Sequence, residues 1–167
     1  STPAPCRKFL KDAFGLLMTG TEDEVIEYIE QCRKEFKELP PEEVAFPRSL
    51  SNVEKWKSSS NMYEKGCPIH VRGAILYNHY VKKKNLDNKY AAIQNGEKIK
   101  FCYLKTPNWM HENVISFIQD FPTELDLNKY VDYELQFNKS FMEPIKVILD
   151  CIGWETERKN TLESFFA

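Results

Sequence analysis

Residues able to do chemistry crowd together once in this sequence, at Cys67-Pro68-Ile69-His70-Val71-Arg72-Gly73, with Tyr77-Asn78 and His79 just beyond. Cys67 and His70 have the local spacing of a zinc ligand pair. A structural zinc site needs a second pair, and neither a C-x-x-C nor an H-x-x-x-H supplies one. The metal reading is set aside, and His70 is read as a hydrogen-bonded histidine. What remains is an alternation of polar His70 and Arg72 with apolar Ile69 and Val71. Read as a strand running from Ile69 to Tyr80, it puts His70 and Arg72 on one face and Ile69 and Val71 on the other. Such a strand aims an arginine fork at a phosphate backbone while its apolar side anchors in a core. A second concentration closes the chain, Thr161-Leu162-Glu163-Ser164-Phe165-Phe166-Ala167. On one helical turn Leu162, Phe165 and Phe166 share a face, a compact apolar plug for a partner's pocket. The competing reading folds this tail back onto its own core.

Other catalytic constellations are missing. Six glycines form neither G-x-x-x-x-G-K-[ST] nor G-x-G-x-x-G, and there is no D-x-D of the kind that holds two metals for nucleotidyl transfer. Five cysteines, Cys6, Cys32, Cys67, Cys102 and Cys151, are an odd set at long spacings, which reads as reduced, mostly buried thiols of a cytosolic protein. No apolar run approaches the ~20 residues of a membrane span. Ser1-Thr2-Pro3 opens directly into helical pattern rather than a signal peptide. The absent initiator Met reads as a piece of a longer chain or a processed start.

Net charge is −2, but it is unevenly spread. Residues 48–105 hold twelve Lys/Arg against four Asp/Glu, while the segments on either side are acidic. A basic middle between acidic flanks is the footprint of one positive surface on a body that otherwise repels polyanions. A solvated lysine-rich face reads equally well, and charge by itself does not choose between them.

The elements that must position these groups follow from periodicity. Thr2 as N-cap and Pro3 at the first position start a helix that lines up Phe9, Leu10, Ala13, Phe14 and Leu17 and stops at Gly20. Thr21 and Glu24 form a capping box for a second helix, with Val25, Ile29, Cys32, Phe36 and Leu39 on one face, ending at Pro40-Pro41. The two should pair antiparallel. After an irregular stretch and the strand at 69–80 comes a Lys-rich turn, then a strand from Lys98 to Leu104. Residues 107–122 show no assignable pattern. From about Asp126 to Ile152 the pattern is helical, with a kink or two abutting helices at Pro144, and Gly153 ends it. The fold class is α+β: an antiparallel helix pair (1–40), a β-rich basic middle (41–125) and a long kinked C-terminal helix (126–154). These form one domain, 1–154, followed by a flexible tail, 155–167.

At these residues the chain resembles the thumb domain and C-terminal tail of family B replicative DNA polymerases, those of T-even-type bacteriophages in particular. Ser1-Thr2-Pro3 resembles the junction of palm and thumb. Ser51-Asn52-Val53-Glu54-Lys55-Trp56 is similar to an Asn-Ile-x-Lys-aromatic element, and Cys67–Gly73 with Leu76-Tyr77-Asn78 is close to the phage signature. Gly96-Glu97-Lys98-Ile99 resembles the strand that follows. Tyr130-Val131-Asp132-Tyr133 through Lys139-Ser140-Phe141-x-x-Pro144 is similar to a thumb helix. The tail resembles a clamp-binding peptide of the form Gln-x-x-aliphatic-x-x-aromatic-aromatic, with Lys159 where many such peptides carry Gln. Gly66 stands where related phage proteins often carry Lys, a place Lys65 can take.

The resemblance implies a fragment of a DNA-directed DNA polymerase, a nucleotidyltransferase, that holds primer–template duplex and docks on a trimeric sliding clamp. It implies Lys55, Lys65, His70, Arg72 and Lys139 as phosphate contacts, and Leu162, Phe165 and Phe166 as clamp contacts. It implies no catalytic residue and no cofactor in this chain, because the Mg²⁺-binding aspartates lie in the palm domain, its other partner, and so no activity alone. It places the protein in the cytoplasm of an infected bacterium, off the membrane. Two alternatives stay open: a stand-alone single-strand-binding module using aromatics such as Trp56 or Tyr77, and the small subunit of a split polymerase.

Overall fold

A computed structural model describes residues 1–158. The first helix, α1 (Ala4–Thr19), is capped by Pro3 with Pro5 in its first turn, and buries Cys6, Phe9 and Ala13 along one stripe. The expected N-cap was one residue earlier; Pro3 has no N–H to place inside the helix and serves as the flanking residue instead. Thr21 then caps α2 (Glu22–Lys37), its Oγ accepting the Glu24 N–H at 3.3 Å. Three acids sit in the first turn of α2 and Lys34 and Lys37 in the last, matching the macrodipole at both ends. Val25, Ile29, Cys32 and Phe36 are buried as the spacing predicts, and α1 packs on α2.

Past Pro40 a single turn, α3 (Pro41–Val44), leads into β1 (Phe46–Ser49). This strand pairs with β4 (Lys98–Tyr103), which pairs in turn with β5 (Val114–Phe117), all antiparallel. Opposed residues share a face of a sheet. Phe46, Arg48, Ile99, Phe101, Tyr103 and Ser116 therefore line one side, and Pro47, Lys100, Cys102 and Phe117 the other. The second side meets α3, where the Cys102 thiol reaches the Pro41 carbonyl at 3.6 Å and the Lys100 ammonium the Glu42 carbonyl at 3.2 Å. Between β1 and β4 the chain forms α4 (Val53–Trp56), a small hairpin of β2 (Lys57–Ser58) and β3 (Met62–Tyr63), and α5 (Ile69–Lys83).

The helix α5 overturns one expectation. Ile69 to Tyr80 is not a strand but most of a 15-residue helix capped by Pro68. The polar–apolar alternation lasts only four residues. From Val71 on, burial follows helical spacing instead, at Val71, Ala74, Ile75 and Val81. Gly73 explains the packing: a Cβ there would stand 2.8 Å from the Ser116 backbone nitrogen, so α5 lies on β5 closer than any other residue allows. The basic middle is thus less β-rich than expected, a helix laid across a three-stranded sheet. Mixed helix and sheet hold throughout, as α+β requires. The strand expected at 98–104 is β4, and the unassigned stretch supplies β5.

The C-terminal run also departs in detail. Two 3₁₀ turns, Thr123–Leu125 and Asn128–Tyr130, precede α6 (Tyr133–Phe137), a π-helical turn (Asn138–Met142) and α7 (Glu143–Cys151). The break expected at Pro144 is this π turn, whose wider ring leaves the proline without an amide to place. Ser140 Oγ donates to the Gln136 carbonyl at 2.6 Å within the widened turn. Gln136 is fully buried and fully bonded: Oε1 accepts the Tyr103 N–H and Nε2 donates to the Val44 carbonyl, both at 2.8 Å. That side chain ties the C-terminal helices to the sheet and to α3. Gly153, at φ +76°, ends the run as the sequence predicts.

Cys6, Cys32 and Cys102 are buried, Cys67 half-buried and Cys151 exposed, all as free thiols. Burial pushes the Cys6 thiol up to about 11 and that of Cys32 to about 12, with hydrogen bonds from Ser140 and Tyr28 opposing it. These are inert core groups at neutral pH.

Candidate nucleic-acid interface

Because 69–83 is helical, His70 and Arg72 do not share a face; two residues along a helix turn through ~200°. Arg72 reaches outward from α5 to the 112–113 turn. Its Nη1 lies 3.2 Å from Glu112 Oε2 and 2.8 Å from Asn113 Oδ1, and its guanidinium sits 5.5 Å from the centre of the Tyr63 ring. Tyr63 donates its hydroxyl to the other Glu112 oxygen at 2.6 Å. Asn108 holds the turn from behind, donating to the Glu112 carbonyl at 2.7 Å. Arg72 and Glu112 side chains are 21% and 16% exposed. Arg72 is therefore a brace between helix, hairpin and turn, its charge met by a shielded carboxylate. Glu112 was invisible in sequence because it lies in the stretch without periodicity.

His70 goes to the opposite side. Its ring is 6.4 Å from that of Phe101, its carbonyl accepts the Ser116 hydroxyl at 2.9 Å, and its Nδ1 is buried without a hydrogen-bond partner among the described residues. This corrects the reading of a hydrogen-bonded imidazole, since the bond at this residue is made by its backbone. Burial, aided by the charge of Arg48, holds the imidazole below its ordinary value, so it is neutral at pH 7.

Lys55 and Lys65 bracket the neck of the β2–β3 hairpin, where the Glu64 N–H donates to the Trp56 carbonyl at 2.8 Å. Both are exposed, and the Lys55 ammonium lies 4.9 Å over the Trp56 ring. Lys139, exposed on the π turn, lies 5.5 Å over Tyr103. The five proposed phosphate contacts thus fall in two groups: Lys55, Lys65 and Arg72 around the hairpin, His70 and Lys139 around the Phe46–Phe101–Tyr103 face. Arg48, which shares that face, was not singled out in sequence. Its signal was the register of β1, which only pairing with β4 fixes. The clamp-contact candidates Leu162, Phe165 and Phe166 lie outside the described residues. Five positions before Leu162, Glu157 sits 3.7 Å from Arg33 on α2.

Charge across the basic middle is left open. Of its twelve cations, three form ion pairs among the described residues: Lys57 with Glu54, Arg72 with Glu112 and Lys89 with Glu124. Several of the other nine rest over rings instead, Lys83 on Tyr80 at 5.9 Å and Lys84 on Trp109 at 4.7 Å. A ring holds an ammonium in place for about 0.5–1 kcal/mol without cancelling its charge. Such a surface keeps its field for an outside anion.

No protein-family model matches the chain. It is 25% identical over 170 residues to the DNA-directed DNA polymerase of Enterobacteria phage T4 and 27% identical over 171 residues to that of Escherichia phage RB69. Each alignment takes in 99% of this chain and 18% of the relative, so the chain spans under a fifth of those polymerases' length. Similarity thus runs the length of the chain, to a portion of the DNA-directed DNA polymerases of these two phages, as the T-even-type resemblance read from Cys67–Gly73 and its neighbours implies.

Proposed function

We propose that this chain is the thumb of a family B, phage-type DNA-directed DNA polymerase, gripping primer–template duplex by its backbone, and that its tail docks on a trimeric sliding clamp. One observation carries the reading: similarity to a single portion of two polymerases runs the length of a chain in whose middle nine of twelve cations form no ion pair among the described residues. A replicative enzyme must hold every sequence alike, and phosphate contacts do so because they carry no base information. Lys55, Lys65 and Lys139 are exposed and ring-supported or unpaired, which suits that role. Arg72 serves it by bracing the hairpin whose neck the first two bracket.

Nucleotidyl transfer and its Mg²⁺ belong to the palm domain. The described residues do not fit that metal: no three His, Cys, Asp or Glu side chains among them gather to hold an ion. This chain's share of the reaction is to hold the product duplex in register, working in the cytoplasm of the infected host. Among the described residues no helix is long and apolar enough to cross a membrane. Tethering falls to Leu162, Phe165 and Phe166 within residues 155–167. A peptide of about micromolar affinity suffices there, since an encircling clamp raises the effective concentration of template.

The test is duplex binding against salt. With one phosphate neutralised at each of Lys55, Lys65 and Lys139, the log–log slope should be about −3, and duplex should be preferred to single strands. A slope near zero overturns the grip. For the tail, F165A/F166A should abolish the calorimetric signal with a phage clamp and leave duplex affinity unchanged. Equal heats from variant and parent would reject docking.

A further inference from the structure

The geometry points to a phosphate seat on the β1–β4 face, where Arg48 and Lys139 together hold one backbone phosphate of a nucleic-acid strand. This rests on the duplex-binding reading and places part of it in a defined groove.

Arg48 and Lys139 come from distant parts of the chain, an edge strand and the π turn, yet line one concavity of about 180 Å³ with Thr2, Phe46, Phe101 and Pro144. That volume is below the ~300–1,000 Å³ of sites that enclose a whole small molecule. It corresponds to roughly six waters at ~30 Å³ each, the scale of one charged group and its shell. No carboxylate lines it, and neither cation has an ion-pair partner among the described residues. The floor is aromatic: Phe46 and Phe101 rings lie 5.3 Å apart, with Tyr103 5.7 Å from Phe101. Low-dielectric walls beneath two unneutralised cations focus the field on the mouth of the groove.

The two side chains also differ in a useful way. A guanidinium offers a planar fork that matches two phosphate oxygens, while an ammonium supplies a compact point charge. Lys139 is already steadied over Tyr103, and Arg48 stands opposite Ile99 in the β1–β4 register, so both approach from fixed backbone. Neutral His70 behind Phe101 adds no competing charge at pH 7.

Fluorescence anisotropy of a labelled 20-base-pair duplex, with the 167-residue chain, tests this across a salt series. Parent, R48Q/K139Q and the control K8Q/K11Q are compared, the last removing two exposed charges from α1. The groove variant should lower the salt slope by about 1 and weaken binding alike for all sequences, because one phosphate contact is lost. The control should leave the slope unchanged. If the parent does not bind duplex, the function proposed above fails. If the parent binds and R48Q/K139Q keeps its slope, the seat fails while that function stands. Amide shifts of Phe46, Arg48, Lys139 and Ser140 distinguish the sources of phosphate. Shifts with duplex, whether or not inorganic phosphate also produces them, support the seat. Shifts with inorganic phosphate alone, or with neither, overturn it as a strand contact.

Discussion

Arg72 and Arg48 lie towards opposite flanks of α5, one at the 112–113 turn and the other beside His70, and their surroundings are opposite. Around Arg72 the charge is met within the fold: Glu112 accepts from the guanidinium Nη1 and from the Tyr63 hydroxyl, Asn113 accepts a second bond from Nη1, and Asn108 fastens the turn. Around Arg48 the neighbours are rings, a neutral imidazole and a lysine, with no carboxylate in the groove. The first arginine is committed to the fold and the second is left for a ligand. A partly buried cation without its carboxylate would be costly, so Arg72 cannot be both a firm brace and a freely offered contact. An exposed cation bears little such cost, and Arg48 has no ion-pair partner among the described residues.

The strongest way to break this contrast is to lift α5 off the sheet, since that helix carries His70 and Arg72 to the two sides. Gly73→Ala places a Cβ 2.8 Å from the Ser116 backbone nitrogen, where no flexible side chain can yield. It should lower unfolding free energy by about 3 kcal/mol. Urea denaturation checks this, and a loss under about 1 kcal/mol would mean that α5 is not seated as closely as described. Next in size is the brace. Arg72→Ala leaves Glu112, 16% exposed, without its cation, and should be destabilising by about 2 kcal/mol. Arg48→Gln should stay within about 0.5 kcal/mol of the parent. Equal losses from the two would erase the distinction between committed and available charge.

Which parts of this were legible in sequence follows from which interactions are local. The Thr21–Glu24 cap, the α2 stripe and the Gly153 stop are set by residues within a turn or two of each other, and they read correctly. The strand β4 read correctly too, since its alternation is its own. At 69–83 the alternation Ile69-His70-Val71-Arg72 matched a strand for four residues, while the deciding contact, Gly73 on Ser116, spans 43 positions of chain. Glu112 and Arg48 were missed for the same reason. One is placed by a turn without periodicity, the other by the Phe46–Phe101 register. That His70 and Arg72 lie on different sides could be known only once the period changed from 2 to 3.6.

The smallest expected effect separates the two sides by pH. His70 is held neutral by burial and by Arg48, with its folded value below the ordinary 6.5. Above pH 6.5 neither folded nor unfolded chain carries that proton. Below it the unfolded chain binds a proton that the folded chain resists, so stability falls as pH drops. The ceiling is about 1.4 kcal/mol per pH unit, and partial solvent access to His70 reduces it to well under 1 kcal/mol. The carboxylates act in a lower window. Glu124, held down to about 2 by the Thr123 and Tyr90 hydroxyls and Lys89, and Glu134, lowered by Lys37, contribute above about 4.5 and lose their contribution as pH falls further. Between pH 7.5 and 5.5 the histidine is therefore read apart from them. His70→Gln should flatten the stability profile over that interval, measured by thermal melts. Arg48→Gln should flatten it partly, because one of the two influences on the imidazole is gone. A profile unchanged in both variants would show that the Arg48 side of the molecule does not act on His70, and would remove the electrostatic link on which that half of the comparison depends.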